Sequence, residues 1–133
     1  MIGKLDDYLH FNEAALNLRS QRQQLLASNI ANADTPGFKA RDIDFTSALA
    51  GAMSGASPTA AVLNSNAAAP AAALNAPAEP LYRAPVQGAV DGNTVDMDVE
   101  RNQFADNSIR YEAGITMLNA QIRNMMAAIQ GGQ

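Results

Sequence analysis

No cysteine occurs among the 133 residues. Disulfides, thiolate nucleophiles and Cys-ligated metal sites are therefore excluded together. Histidine is nearly absent as well: His10 stands alone, with no second imidazole to complete a zinc site or an acid–base pair. Basic residues are scarce. Nine Lys and Arg face thirteen Asp and Glu, for a formal net charge of −4, and the pI is about 4.7. Such a chain is a poor phosphate binder, so nucleic acid is not an expected partner. Trp is missing and no stretch approaches the roughly 18 apolar residues that span a bilayer. The start, MIGKLDDYLHFNE, lacks the apolar core of a secretory leader, so any export is expected to use a route without a cleaved signal. No nucleophile–base pair, metal set or phosphate loop emerges. An enzyme is not expected, and neither is a cofactor.

What is present falls into three parts. From 3 to 33, Ala, Leu, Gln and Arg dominate with no Pro and no Gly after Gly3, which predicts one helix of about 45 Å. Ile2, Leu5, Leu9, Leu16 and Ile30 form one apolar stripe on it, with Leu26 at the edge. Phe11, Ala14, Leu18 and Leu25 form a second stripe on another face. Two apolar faces call for two sets of neighbours. From 46 to 95 the chain is Ala-rich and broken by Pro58, Pro70, Pro77, Pro80 and Pro85, which predicts an irregular middle with at most a short helical turn. Leu81-Tyr82-Arg83 is its one anchor-like cluster. From 96 to 133, Met97, Phe104, Tyr111, Leu118 and Met125 recur every seven residues, interleaved with Ser108, Ile115, Ile122 and Ile129. That spacing predicts a heptad helix of about 50 Å, capped by Asp96 or Asp98 and ended by Gly131-Gly132.

The expected fold is mainly α: two long terminal helices packed as an antiparallel coiled-coil-like pair, formed by segments 1–45 and 96–133, around an irregular Ala/Pro-rich middle at 46–95. A helix pair buries one stripe from each partner, leaving the second stripe of the first helix wet. Folds of this size are marginal alone and usually rely on oligomerisation. The expected role is an assembly subunit. The runner-up is a helical adaptor that binds one partner through the heptad seam.

Between the first helix and the middle lies SNIANADTPGFKARDIDF, residues 28–45. Asn29 and Asn32 sit on the last helical turn. Thr35-Pro36-Gly37-Phe38 has the composition of a type II turn, with Pro36 presetting φ and Gly37 free to take a positive one. The Asn29, Asn32 and Thr35 side chains suit contacts between subunits or local capping of the helix end. Phe38 and Phe45 could anchor the chain on a neighbour or on its own helices. At the other end, residues 91–100 read DGNTVDMDVE. They superficially match a calcium loop, but Asp96 stands where Gly is required. A turn followed by a helix N-terminus is the better reading. For Arg19, Arg22, Arg110 and Arg123 the choice is between ion pairs to neighbours and solvated charge.

The string ANADTPG, with SNI before it and Phe-Lys after it, resembles the N-terminal signature of the flagellar rod and hook family. Residues 91–132 resemble the family's C-terminal helix. The ARDIDF and DGNTVDMDVE spellings, and a middle too short for a β-rich domain, are similar to its proximal-rod members. This resemblance implies a structural subunit of the basal body, on the periplasmic side of the inner membrane, that transmits torque from the MS ring. The implied partners are copies of itself, other rod proteins, the small adaptor FliE and the type III export apparatus. It also implies contacts between subunits through the helix faces carrying Leu9, Leu16, Leu18, Leu25, Ile30, Phe104, Tyr111, Ile115, Leu118 and Ile122. The turn residues Asn29, Asn32, Thr35, Pro36, Gly37 and Phe38 would set where the chain leaves the helical layer.

Overall fold

The Ala- and Gln-rich first segment forms a 30-residue helix, α1 (Ile2–Ala31). In the computed structural model, which describes residues 2–54, 78–84 and 89–131, it is followed by strand β1 (Arg41–Asp42), helix α2 (Phe45–Ser54), strand β2 (Leu81–Tyr82) and helix α3 (Met97–Gln130). The Ala/Pro-rich stretch at 55–77 lies outside the described residues, as do 85–88 and Gly132.

α1 and α3 pack along each other. Asn29 meets Glu100, Arg22 meets Gln103 and Gln23 meets Ser108. From Gln23 to Asn29 on α1 the partners run back from Ser108 to Glu100 on α3, so the pair is antiparallel. At Gly114 the helices approach most tightly: a Cβ there would lie 2.9 Å from Leu16 Cδ2. Asp96 is the N-cap of α3, accepting from the N–H groups of Asp98 (3.0 Å) and Val99 (3.3 Å), with Asp98 and Glu100 in the first turn to complement the helix dipole. Gly131 stays right-handed at φ −77° and donates to the Ala127 carbonyl at 2.8 Å.

Two expectations need correction. The first concerns the second stripe of α1. Ala14 and Leu18 are buried within the chain itself. The additional neighbour is α2, which lies against α1 where the sequence suggested irregular chain. The prolines that argued against helix begin only at 58. Before them, Asp44 caps α2 by accepting from the Thr46 and Ser47 N–H groups and the Ser47 hydroxyl, the last at 2.8 Å. The Arg19 guanidinium then lies 4.5 Å over the Phe45 ring and ties the start of α2 to α1.

The second correction concerns the α3 seam. Phe104, Tyr111, Leu118 and Met125 are half-buried, but the row packed with them is Glu100, Asn107, Gly114 and Gln121. The expected companions Ile115, Ile122 and Ile129 are 37%, 40% and 77% exposed. A heptad row can be completed at either +3 or +4. Hydrophobicity favours +4, but the structure takes +3 because Glu100 and Asn107 find partners on α1 and, for Glu100, at Arg83 just past β2.

Candidate functional site: a clasp between the two ends

At the loop end of the helix pair the two signature segments dock on each other. The Thr35–Phe38 turn closes with the Phe38 N–H on the Thr35 carbonyl at 3.2 Å, and Gly37 has φ +72°, as a type II turn with Pro36 at its second position requires. Gly92, at φ +76°, makes the facing turn. The two turns abut, since a Cβ on Gly92 would lie 3.8 Å from Gly37 Cα. Gly37 N–H donates to the Asp91 carbonyl and Thr94 N–H to the Phe38 carbonyl, both at 3.0 Å. The Thr94 hydroxyl accepts from Ala40 N–H at 2.8 Å, and Lys39 Nζ reaches the Gly92 carbonyl at 2.7 Å.

Asn93 completes this clasp. Its buried amide Nδ2 donates toward three carbonyls of the turn that follows α1: Asn32 (3.0 Å), Ala33 (2.7 Å) and Thr35 (2.9 Å). The Asn32 and Thr35 carbonyls also accept from the Thr35 and Phe38 N–H groups of the turn itself. The C-terminal half of the chain thus supplies a second donor that pins the turn in place. Asn93 Oδ1 accepts from Val95 N–H at 2.8 Å, so both ends of the amide are engaged.

One helical turn further in lies a charged hub. Arg22 grips Asp42 with both arms, Nε at 2.8 Å and Nη2 at 2.9 Å, and Nη2 also reaches Gln103 Oε1 at 3.0 Å. Arg83, just past β2, bridges Asp42 Oδ2 (2.8 Å), Gln103 Oε1 (2.9 Å) and Glu100 Oε1. Glu100 is fully buried and also accepts from Asn29 Nδ2 at 3.2 Å. Two guanidinium groups and two carboxylates balance, which a buried cluster needs. Burial works against the Asp42 carboxylate, but Arg22, the Ile43 N–H and Arg83 outweigh it and hold its carboxyl below the usual range. The hydrogen bond to Asp42 raises Arg22 in turn.

Asn29 is buried and works within its own chain. Its side chain accepts from Arg41 N–H at 3.0 Å and donates to the Arg41 carbonyl at 2.7 Å. It therefore pairs with β1 as a neighbouring strand would, on the edge opposite β2. β1 and β2 are antiparallel, with Arg41 opposite Tyr82 and Asp42 opposite Leu81. Asn32 Nδ2 turns back to the Ser28 carbonyl at 2.8 Å and Thr35 Oγ1 bonds Asn32 Oδ1 at 3.2 Å, which is local capping. Phe38 is half-buried, whereas Thr35, Pro36 and Gly37 are exposed. Of the helix-face residues, Leu18 is buried in the chain, Leu9, Leu16, Leu25 and Ile30 are half-buried, and Ile115 and Ile122 are exposed. Arg110 pairs with Asp106 one turn away on the surface of α3.

The arrangement holds backbone and helices in place, and among the described residues no group of three or more His, Asp or Glu could hold a metal. Its Asp42, Arg83, Glu100 and Gln103 were not singled out as a site by sequence. Arg83 stood in the noted Leu81–Arg83 cluster, and an Arg in an otherwise apolar anchor was the available signal.

Residues 9–39, which span most of α1 and the turn after it, match the family model described as flagella basal body rod protein. Across its length the chain is 54% identical to the flagellar basal body rod protein FlgB of Salmonella typhimurium and 53% identical to that of Escherichia coli, with 99% of each chain covered. A more distant FlgB, from Cereibacter sphaeroides, is 47% identical over 94% of this chain and 95% of its own. The chain belongs to the FlgB family of flagellar basal body rod proteins. It is a structural component of the rod, assembles with rod components and is not an enzyme. In this FlgB-family chain no helix among the described residues is long and apolar enough to cross a membrane. The two segments that carried the family resemblance, ANADTPG and DGNTVDMDVE, are the ones that meet in the clasp.

Proposed function

We propose that this chain is a subunit of the proximal rod, the part of the drive shaft next to the MS ring, and that it carries torque outward from that ring. Its neighbours are copies of itself, other rod proteins and the FliE adaptor. It reaches them through the flagellar type III export apparatus, and assembly stabilises its helices. The observation that carries this reading is the inverted use of α3. The helix spends its polar Glu100 and Asn107 inside the chain and leaves Ile115, Ile122, Met126 and Ile129 exposed along one flank. On α1, Leu5, Tyr8 and Phe11 are exposed as well. Each such side chain contributes about 1–2 kcal/mol when a neighbour covers what is left open. Lateral packing in a tube of helices supplies those neighbours and favours assembly over the free chain. Leu9, Leu16 and Tyr111 flank these rows and extend the contact. The exposed Thr35-Pro36-Gly37 turn marks where the chain leaves the helical layer.

The test is Ile122→Asp in a motile strain that depends on this chain. The charge falls on an exposed site, so the purified variant keeps its helical content and melting behaviour. The expected result is normal protein levels with no rod and no swimming. Normal swimming would refute the reading. Leu18→Asp is the contrasting variant: it loses motility through the fold, because Leu18 belongs to the chain's own core.

A further inference from the structure

We propose that two polar contacts of the α1–α3 seam, Glu100 with Asn29 and Asn107 with Gln23, and the close fit of Gly114 on Leu16 are the register key of this helix pair. They fix which axial offset the two helices adopt, independently of the loop clasp. The apolar row cannot do this. Phe104, Tyr111, Leu118 and Met125 repeat at seven residues, so a one-heptad slip of α3, about 10 Å, replaces all but the terminal apolar side chain by another and costs little hydrophobic contact.

The second row does not tolerate the same slip. In one direction Asn107 arrives where Glu100 sits, and Arg83 loses its buried carboxylate partner. Gly114 arrives where Asn107 sits, so Gln23 Oε1 and the Arg19 carbonyl lose the amide that donates to them at 2.6 and 2.9 Å. Gln121 arrives where Gly114 sits, and its side chain, beginning 2.9 Å from Leu16 Cδ2 at the Cβ, would run into Leu16 as a long side chain at Gly114 does. In the other direction Glu100 would bring a carboxylate against that same carbonyl and Gln23 oxygen, and Asn107 would strike Leu16. Every wrong offset strands a buried polar group or forces an overlap. Burying polar groups at a helix seam to set register at a cost in stability is a known physical device. The cost is visible here, since Asn107 Oδ1 is buried and finds no hydrogen-bond partner among the described residues. The functional weight of the key rests on the proposed contact faces.

The chain has no cysteine, so pairs of spin labels can be placed cleanly at Ala27→Cys and Thr116→Cys, both exposed and on different helices. The distance between them is read by double electron–electron resonance in the full-length chain. Asn93→Ala weakens the clasp and leaves the seam intact. The expected distribution is a single peak at the unmodified distance. A shifted or second peak in this variant would overturn the proposal, because the clasp would then be setting the register. Adding Leu16→Ala, Glu100→Leu and Asn107→Leu to Asn93→Ala blanks the key. The expected result is a second population displaced by about 10 Å, one heptad of helix rise. A helical chain that keeps a single unshifted peak would equally overturn it. These readouts come from the isolated chain, so they stand or fall separately from the motility result.

Discussion

Asn93 pins the turn after α1 from about sixty residues away, and changing it tests whether the clasp is energetic or incidental. The amide has two hydrogens shared among three carbonyls at 2.7–3.0 Å, and its oxygen accepts from Val95 N–H. Asn93→Ala removes roughly three hydrogen bonds' worth of satisfaction from a buried site, at about 1 kcal/mol each, for a loss of about 3 kcal/mol. Asn93→Asp preserves shape and the Val95 bond but replaces the donor with an acceptor facing three carbonyl oxygens. It is expected to cost at least as much as Ala, about 3–5 kcal/mol. The introduced carboxyl has its pKa raised in the folded state, because only its protonated form can donate. The variant therefore keeps most stability at low pH and loses it as pH rises through that raised value. Urea unfolding followed by circular dichroism at pH 4 and pH 7 measures both effects. If Asn93→Asp is as stable as the parent at neutral pH, the pinning argument is wrong.

Other changes probe the remaining joints. Gly114→Leu drives a side chain into Leu16 and is expected to cost about 1–3 kcal/mol by overpacking, whereas Gly114→Ala is close to neutral because the end of Leu16 can move and Ala gains about 1 kcal/mol of helix propensity; thermal melts of both decide. Asp42 has a folded-state pKa below its unfolded value, so its contribution is fully present above about pH 4 and is lost as pH falls through the folded value. Asp42→Asn should flatten the acid limb of a stability–pH profile, and an unchanged limb would contradict the assignment. Arg22→Lys cannot reproduce the two-armed grip on Asp42 and should lower the urea midpoint although the charge is kept.

The long elements were legible because their signals are local and repeated. Pro-free, Ala- and Leu-rich composition marks α1, the heptad marks α3, and Pro36-Gly37 marks the turn between α1 and β1. The face of α3 was misjudged because hydrophobicity alone chose Ile115 and Ile122 over Glu100 and Asn107. Burying the polar pair becomes favourable only once Arg83, Asn29 and Gln23 are in place, and those partners lie 17, 71 and 84 residues away in sequence. α2 was missed because the prolines beyond 57 coloured the reading of the whole middle, although Asp44 followed by Thr-Ser is a local helix start. The clasp was half legible. Both motifs were recognised as turns, but nothing in their spacing says that one turn supplies a second donor to the carbonyls of the other.

The central claim is that this helix pair faces its neighbours in the rod through the exposed flank of α3. Electron cryo-microscopy of basal bodies assembled from this chain tests it most directly. The account predicts α1–α3 pairs in the shaft wall, in the register set by Glu100, Asn107 and Gly114, with Ile115, Ile122 and Ile129 covered by adjacent subunits. Density placing that row in solvent, with the polar seam opened to meet the neighbours instead, would contradict it.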